Sequence, residues 1–98
     1  MKILAIEKEV QNADWTNTHG VLEEEARHVY ALQQSGDVRE IYFTETHSAV
    51  LVLECEDIGA AKTLLGDFPL VKAALISFDV MALMPYTGLD RLMNGQPR

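Results

Sequence analysis

The sequence predicts an α+β domain in which two helices cover one face of a four-stranded antiparallel sheet, in the order βαββαβ. Four strand-like runs and two helix-like runs alternate in that order, and no repeat, linker or low-complexity segment interrupts them. A chain of 98 residues corresponds to one domain, and 48% apolar residues are enough for a small core. Because a domain of this size leaves much apolar surface uncovered, any large additional burial requires a partner.

The first half of the chain predicts a strand followed by a helix. Residues 2–10 (KILAIEKEV) are rich in aliphatic side chains, which favours a strand. The next apolar residues recur every three or four positions, the spacing of an amphipathic helix, at Leu22, Ala26, Val29 and Leu32. Gly36 follows this stripe and favours the end of the helix there.

A hairpin is predicted next. Residues 38–44 and 49–56 each have strand character, and only a short polar turn at 45–48 separates them. Residues 75–83 (LISFDVMAL) predict the last strand.

The second helix is predicted between the hairpin and the last strand. Asp57 is a suitable N-cap, Gly66 favours the end of the helix, and Pro69 is expected to interrupt the segment after it. After the last strand, apolar residues at helical spacing predict a short arm. We therefore expect one domain over residues 1–88 and a C-terminal arm with a frayed tail over 89–98.

The predicted element order is that of the ferredoxin-like fold, in which both helices lie on one side of the sheet. The third strand has four consecutive apolar residues, Val50 to Leu53, so both of its faces are expected to be buried. The chain supplies no further helix long enough to cover the second face. A second copy of the chain, packed sheet against sheet, is the simplest cover, and we expect any pocket between that face and its cover.

Charge and cysteine content exclude several classes of function. The net charge is −7, which repels phosphate backbones and anionic lipids and disfavours nucleic-acid or membrane partners. Cys55 is the single cysteine, so an intramolecular disulfide is excluded, and no zinc-binding spacing is present. The first residues are too short for a signal peptide, and no apolar run approaches the roughly 20 residues that cross a bilayer. We expect a cytoplasmic protein without metal or cofactor.

Several segments carry a family resemblance: LQQSGDVREIY at 32–42, the hairpin up to His47, FPL at 68–70, FDV at 78–80 and PY at 85–86. Together they resemble the muconolactone isomerase-like and YCII-related group over residues 20–86. The resemblance implies a dimeric α+β barrel, in which two four-stranded sheets enclose a pocket. Isomerase-type members have a basic residue four positions after the arginine that matches Arg39. Phe43 occupies that position here, which predicts a pocket less suited to a dicarboxylate-like lactone.

Two acidic residues are the candidate catalytic groups. Glu7 lies in the first predicted strand and Asp79 in the last, and these strands are neighbours in the ferredoxin-like arrangement. If both side chains face one interior, mutual repulsion and burial would raise at least one pKa, as a general base for proton abstraction requires. The alternative is that Glu7 is solvated and Asp79 pairs with a neighbouring basic group.

Three other residues are the candidate substrate-binding groups. Arg39, with its fork of donors, could bind a substrate carboxylate. The alternative is a surface ion pair with an acid, and the family resemblance makes the two nearly equal. His19 and Trp15 belong to the first loop, which is expected to overhang a barrel mouth. Glu24 and His28 lie one helical turn apart, but without a third ligand they indicate a solvated helix face better than a metal site.

Two functions remain open from the sequence. The first is a small-molecule-binding dimeric α+β barrel protein that acts as a cofactor-free isomerase on a small organic acid or lactone. The second is a non-catalytic ligand-binding or dimerisation module.

Overall fold

The computed structural model describes residues 1–94 and confirms the predicted ferredoxin-like α+β fold. The sheet is antiparallel throughout, with strand order β2-β3-β1-β4. No described helix is long and apolar enough to cross a membrane. The elements are β1 (Lys2–Glu9), α1 (His19–Ser35), β2 (Val38–Phe43), β3 (Ala49–Glu54), α2 (Ile58–Gly66), α3 (Pro69–Lys72), β4 (Ile76–Ala82) and α4 (Asp90–Asn94).

Two short helices add to the predicted elements. Pro69 does not interrupt the chain but begins α3, because a proline at the first helical position loses no hydrogen bond and has a φ suited to a helix. The arm predicted after the last strand contains α4, and Leu92 and Met93 on it are exposed. Fraying was predicted for residues 94–98; Asn94 is the last residue of α4, and the rest of that segment lies outside the described residues.

The core lies between the sheet and the helices. Alternate residues of the two central strands, Ile3 and Ala5 of β1 and Leu51 and Leu53 of β3, are completely buried against α2 and the segment before α3. Asp57 caps α2 by accepting a hydrogen bond from the backbone N–H of Ala60, at 2.7 Å.

The opposite side of the sheet has no helix against it in the described chain. Its apolar residues, which we call the open face, are Leu4, Ile6, Tyr42, Val50, Val52 and Met81. Val50 and Val52 are only partly buried, whereas Leu51 and Leu53 between and beside them are fully buried. Within one chain, therefore, only one face of β3 is fully buried.

The end of α1 depends on one glycine conformation. Gly36 has φ 87°, in the left-handed region, and its N–H donates to the carbonyl of Gln33. We expect Gly36→Ala to lower the free energy of unfolding by about 1 kcal/mol, because a Cβ is disfavoured at this φ although it meets no close neighbour. Gly66→Ala is the control, since Gly66 is helical without a positive φ and should be neutral to stabilising. Urea denaturation measures both, and equal effects would contradict this account of Gly36.

Candidate functional site

A cavity of about 440 Å³ lies between α1 and the sheet, on the helix-covered side. Its volume is within the range of roughly 300 to 1,000 Å³ that is typical of small-molecule pockets. Most of its wall is aliphatic or aromatic. The lining residues are Glu7, Leu22, Glu25, Ala26, Val29, Tyr30, Gln33, Ile41, Phe43, Ala49, Leu51, Phe68, Leu70, Ile76 and Phe78.

The cavity forms because α1 does not pack closely on this part of the sheet. No residue of α1 is fully buried. Small side chains at Ala26 on α1 and Ala49 on β3 leave space where larger ones would fill it. Tyr30 and Phe43 also line the cavity but are largely exposed, at 62% each, so they mark its mouth. Phe43 is held there by stacking on His47 of the hairpin turn, with ring centroids 4.0 Å apart.

Glu25 is the polar residue of α1 that is most withdrawn into this apolar cavity. One carboxylate oxygen accepts a hydrogen bond from the backbone N–H of Leu70 at 3.0 Å, which fixes the side chain. Partial burial raises the pKa of Glu25, and the nearby charge of Glu7 acts in the same direction, although the Leu70 hydrogen bond opposes both. A carboxyl group with a raised pKa in a cleft is suited to proton transfer near neutral pH.

Glu7 enters the cavity from the sheet. Its Oε1 accepts a hydrogen bond from the backbone N–H of Ala49 at 2.8 Å, and its own carbonyl accepts one from the Ser48 hydroxyl at 2.6 Å. The strand end that carries Glu7 is therefore tied to the start of β3. Among residues 1–94, the second carboxylate oxygen of Glu7, like that of Glu25, has no hydrogen-bond donor from the protein.

Neutral donors complete the polar part of the cavity. Gln33 offers a side-chain amide, and Tyr30 a hydroxyl that accepts a hydrogen bond from Gln34 at 3.0 Å and keeps its own proton free to donate. The lining residues include no lysine, arginine or histidine.

The expectation that Glu7 and Asp79 face one interior is wrong. The β1–β4 register places Glu7 opposite Phe78 and Asp79 opposite Ile6, so the two carboxylates point to opposite faces of the sheet. Asp79 lies on the same side as the open face and pairs with Lys8 at 3.1 Å, the alternative that the sequence left open. Glu7 is brought to the cavity, whereas Asp79 is not. A catalytic role for Asp79 remains an untested prediction at a different location.

The three predicted substrate-binding residues do not line the cavity. Arg39 is exposed at the corner between α1 and β2, where its Nε donates to the carbonyl of Gly36. His19 is the exposed first residue of α1. Trp15 packs against the cluster of Leu70 and Ile76, two residues whose other sides line the cavity.

The cavity is not on the face where the sequence predicted a pocket. The open face was the expected location because two helices cover only one side of the sheet and a second copy of the chain was expected on the other. Glu25 was missed although its spacing carried a signal: it lies three residues after Leu22 and four before Val29, inside the apolar stripe of α1. His28 was expected on a solvated face, but it is half-buried and meets Phe68 edge-on, with ring centroids 5.0 Å apart.

No protein-family model matches the chain, and no curated protein matches it in sequence. Among solved structures, the chain is similar to 5-chloro-2-hydroxyhydroquinone dehydrochlorinase (TftG) from Burkholderia phenoliruptrix AC1100, in complex with 2,5-dihydroxybenzoquinone. The TM-score is 0.63 at 15% sequence identity, and the match covers 90% of this chain and 98% of that chain. At this identity the likeness concerns the fold, so the chain shares the α+β architecture of an enzyme whose structure holds a small ring compound.

Proposed function

We propose that this protein is a cofactor-free enzyme that binds a small cyclic molecule in the cavity under α1 and moves a proton on it with Glu25. The observation that carries this proposal is a half-buried carboxylate with a raised pKa in an apolar cavity of about 440 Å³. Such a combination is the usual arrangement of a general base or acid. The shared fold with a dehydrochlorinase of a hydroxylated ring adds support for a ring-shaped ligand.

The proposed reaction is an isomerisation of the keto–enol type. The carboxylate of Glu25 accepts a proton from a ligand hydroxyl, and the same carboxyl group delivers a proton to a neighbouring carbon. One O–H bond breaks and one C–H bond forms, so no oxidant or reductant is needed. The hydroxyl of Tyr30 and the amide of Gln33 can donate hydrogen bonds to a ligand oxygen on which negative charge develops.

Phloroglucinol provides a direct test, because its ring protons exchange with solvent through its keto tautomer. In D₂O we expect the protein to accelerate loss of the ring-proton NMR signal over a protein-free sample. In the same experiment, signals of cavity residues such as Leu22 and Phe78 should shift. Shifts without accelerated exchange would identify a non-catalytic ligand-binding module. The absence of both would rule out the proposal for ligands of this size and kind.

The open face supports a second part of the proposal, that the protein is a homodimer. Its aliphatic centre on the two middle strands is left partly exposed by the chain itself, with the Lys8–Asp79 ion pair at its margin. A partly exposed apolar face of this kind is well suited to a second copy packed sheet against sheet.

We expect Val52→Lys to weaken this dimer by at least roughly 100-fold, because the lysine's charge at the centre of an apolar contact would lose its hydration in the dimer. The folded monomer should tolerate the change, since the lysine would lie opposite Glu40 on β2. The control is Ala31→Lys on the exposed side of α1, which makes the same charge change. This variant should remain a dimer in solution. Sedimentation at micromolar concentration distinguishes the outcomes, and a monomeric wild type would refute the dimer.

A further inference from the structure

The charge distribution of the cavity defines which ligands can enter it. Two carboxylates project into it from opposite walls, Glu25 from α1 and Glu7 from β1. Two basic residues of the same elements are engaged elsewhere: Arg27 pairs with Glu23 at 2.6 Å, and Lys8 pairs with Asp79 on the other side of the sheet. An anionic ligand would therefore meet one or two negative charges and no compensating cation in the cavity wall.

The hydrogen bonds of the two carboxylates also specify the polarity of the ligand. Each carboxylate uses one oxygen for a backbone N–H, of Leu70 in one case and Ala49 in the other. These contacts hold the side chains in place and leave one acceptor oxygen of each without a protein donor among residues 1–94. The remaining lining is apolar apart from Tyr30 and Gln33. The two free carboxylate oxygens are held at fixed positions on opposite sides of an apolar cavity. This arrangement suits a flat ring that carries two hydrogen-bond donors.

We infer that the cavity selects uncharged rings with two hydroxyl groups, one donated to Glu7 and the other to Glu25, and rejects ring carboxylates. This inference rests on the proposed function, since it concerns the same cavity. It replaces the small organic acid expected from the sequence with a neutral diol, and it gives Glu7 the role of a specificity-determining residue.

A panel of ring compounds tests the selection by NMR titration of the cavity signals. It comprises phenol, the three dihydroxybenzenes (catechol, resorcinol and hydroquinone), 4-hydroxybenzoate and benzylamine. We expect the dihydroxybenzene whose spacing fits best to bind roughly tenfold more tightly than phenol, through the second charge-assisted hydrogen bond. We expect 4-hydroxybenzoate to bind at least roughly tenfold more weakly than phenol, because its charge is repelled.

Matched variants assign the selection to the two carboxylates. In Glu7→Gln, the advantage of the best dihydroxybenzene over phenol should fall, and 4-hydroxybenzoate should approach phenol in affinity. Glu24→Gln, an exposed acid on α1 that does not line the cavity, makes the same change in net charge and should leave the selection unchanged. If Glu24→Gln and Glu7→Gln change the relative ligand affinities equally, the net charge of the protein determines these affinities and the cavity does not. The inference would then be wrong.

The remaining outcomes separate this inference from the proposed function. Binding of 4-hydroxybenzoate at least as tight as that of phenol overturns the inference and leaves a ring-binding cavity in place. Tighter binding of benzylamine than of every dihydroxybenzene also overturns it, because the carboxylates would then serve a cation. Failure of all six compounds to shift the cavity signals overturns both.

Discussion

Replacement of Glu25 by glutamine is expected to reduce the protein-catalysed deuterium exchange of phloroglucinol by roughly 10² to 10⁴-fold, the usual contribution of a positioned general base. The amide keeps the shape of the side chain and can still accept the hydrogen bond from the Leu70 N–H. It cannot accept and return a proton. The affinity for the ligand should change much less than the exchange rate. The control variant Glu24→Gln should catalyse the exchange as fast as the wild type.

The stability of Glu25→Gln as a function of pH distinguishes a catalytic effect from a folding defect. The pKa of Glu25 is raised mainly by burial, so the folded state binds its proton more strongly than the unfolded state does. Stability therefore decreases as pH rises from the unfolded-state pKa, near 4.3, through the raised folded-state value. Glu25→Gln should be as stable as the wild type or more stable at pH 7, and the difference should vanish towards pH 4. Retained exchange activity, or a lower melting temperature at pH 7, would contradict this role.

The Phe68→Ala variant should lose about 3 to 5 kcal/mol of unfolding free energy, the cost of removing a buried aromatic ring. Phe68 is 1% exposed, and its ring meets His28 on α1 and Phe78 on β4 edge-on, at 5.0 and 5.6 Å between centroids. It also lines the cavity, so its loss would leave a larger void between α1 and the sheet. Because domains of this kind are stable by only about 5 to 15 kcal/mol, the variant would be near its folding limit.

Phe43→Ala is the matched control for Phe68. It removes the same ring from the same cavity, but at a position that is 62% exposed, so we expect a loss below about 1 kcal/mol. Urea denaturation followed by circular dichroism measures both variants, with the midpoint moving and the m-value unchanged. Equal losses for the two would show that Phe68 does not hold the helices to the sheet.

Much of the fold was predictable because it depends on local patterns. The stripe of α1, the polar turn before β3 and the capping residue Asp57 are properties of short segments, and the structure confirms each of them. The behaviour of Pro69 was predicted wrongly, since a proline can begin a helix as well as stop one. That choice depends on the preceding residue and on the packing of the next turn.

The candidate site was predictable only in part because it depends on which strand faces which element. Glu7 was identified from its position in β1, and it reaches the cavity. Its expected partner Asp79 does not, because the β1–β4 register sets the two side chains on opposite faces. The second carboxylate in the cavity is Glu25 of α1. The sequence does not specify the distance between this helix and the sheet.

The sequence by itself determined the order of the elements, the sheet with helices on one side and the presence of an uncovered apolar face. These features arise from hydrophobic periodicity and from turn and capping residues, which act over a few positions. Only the tertiary structure decided that the cavity lies under α1 and that Glu7 and Glu25 share it. The packing distance of a helix and the register of two strands arise from the fit of many distant side chains, and no local pattern encodes that fit.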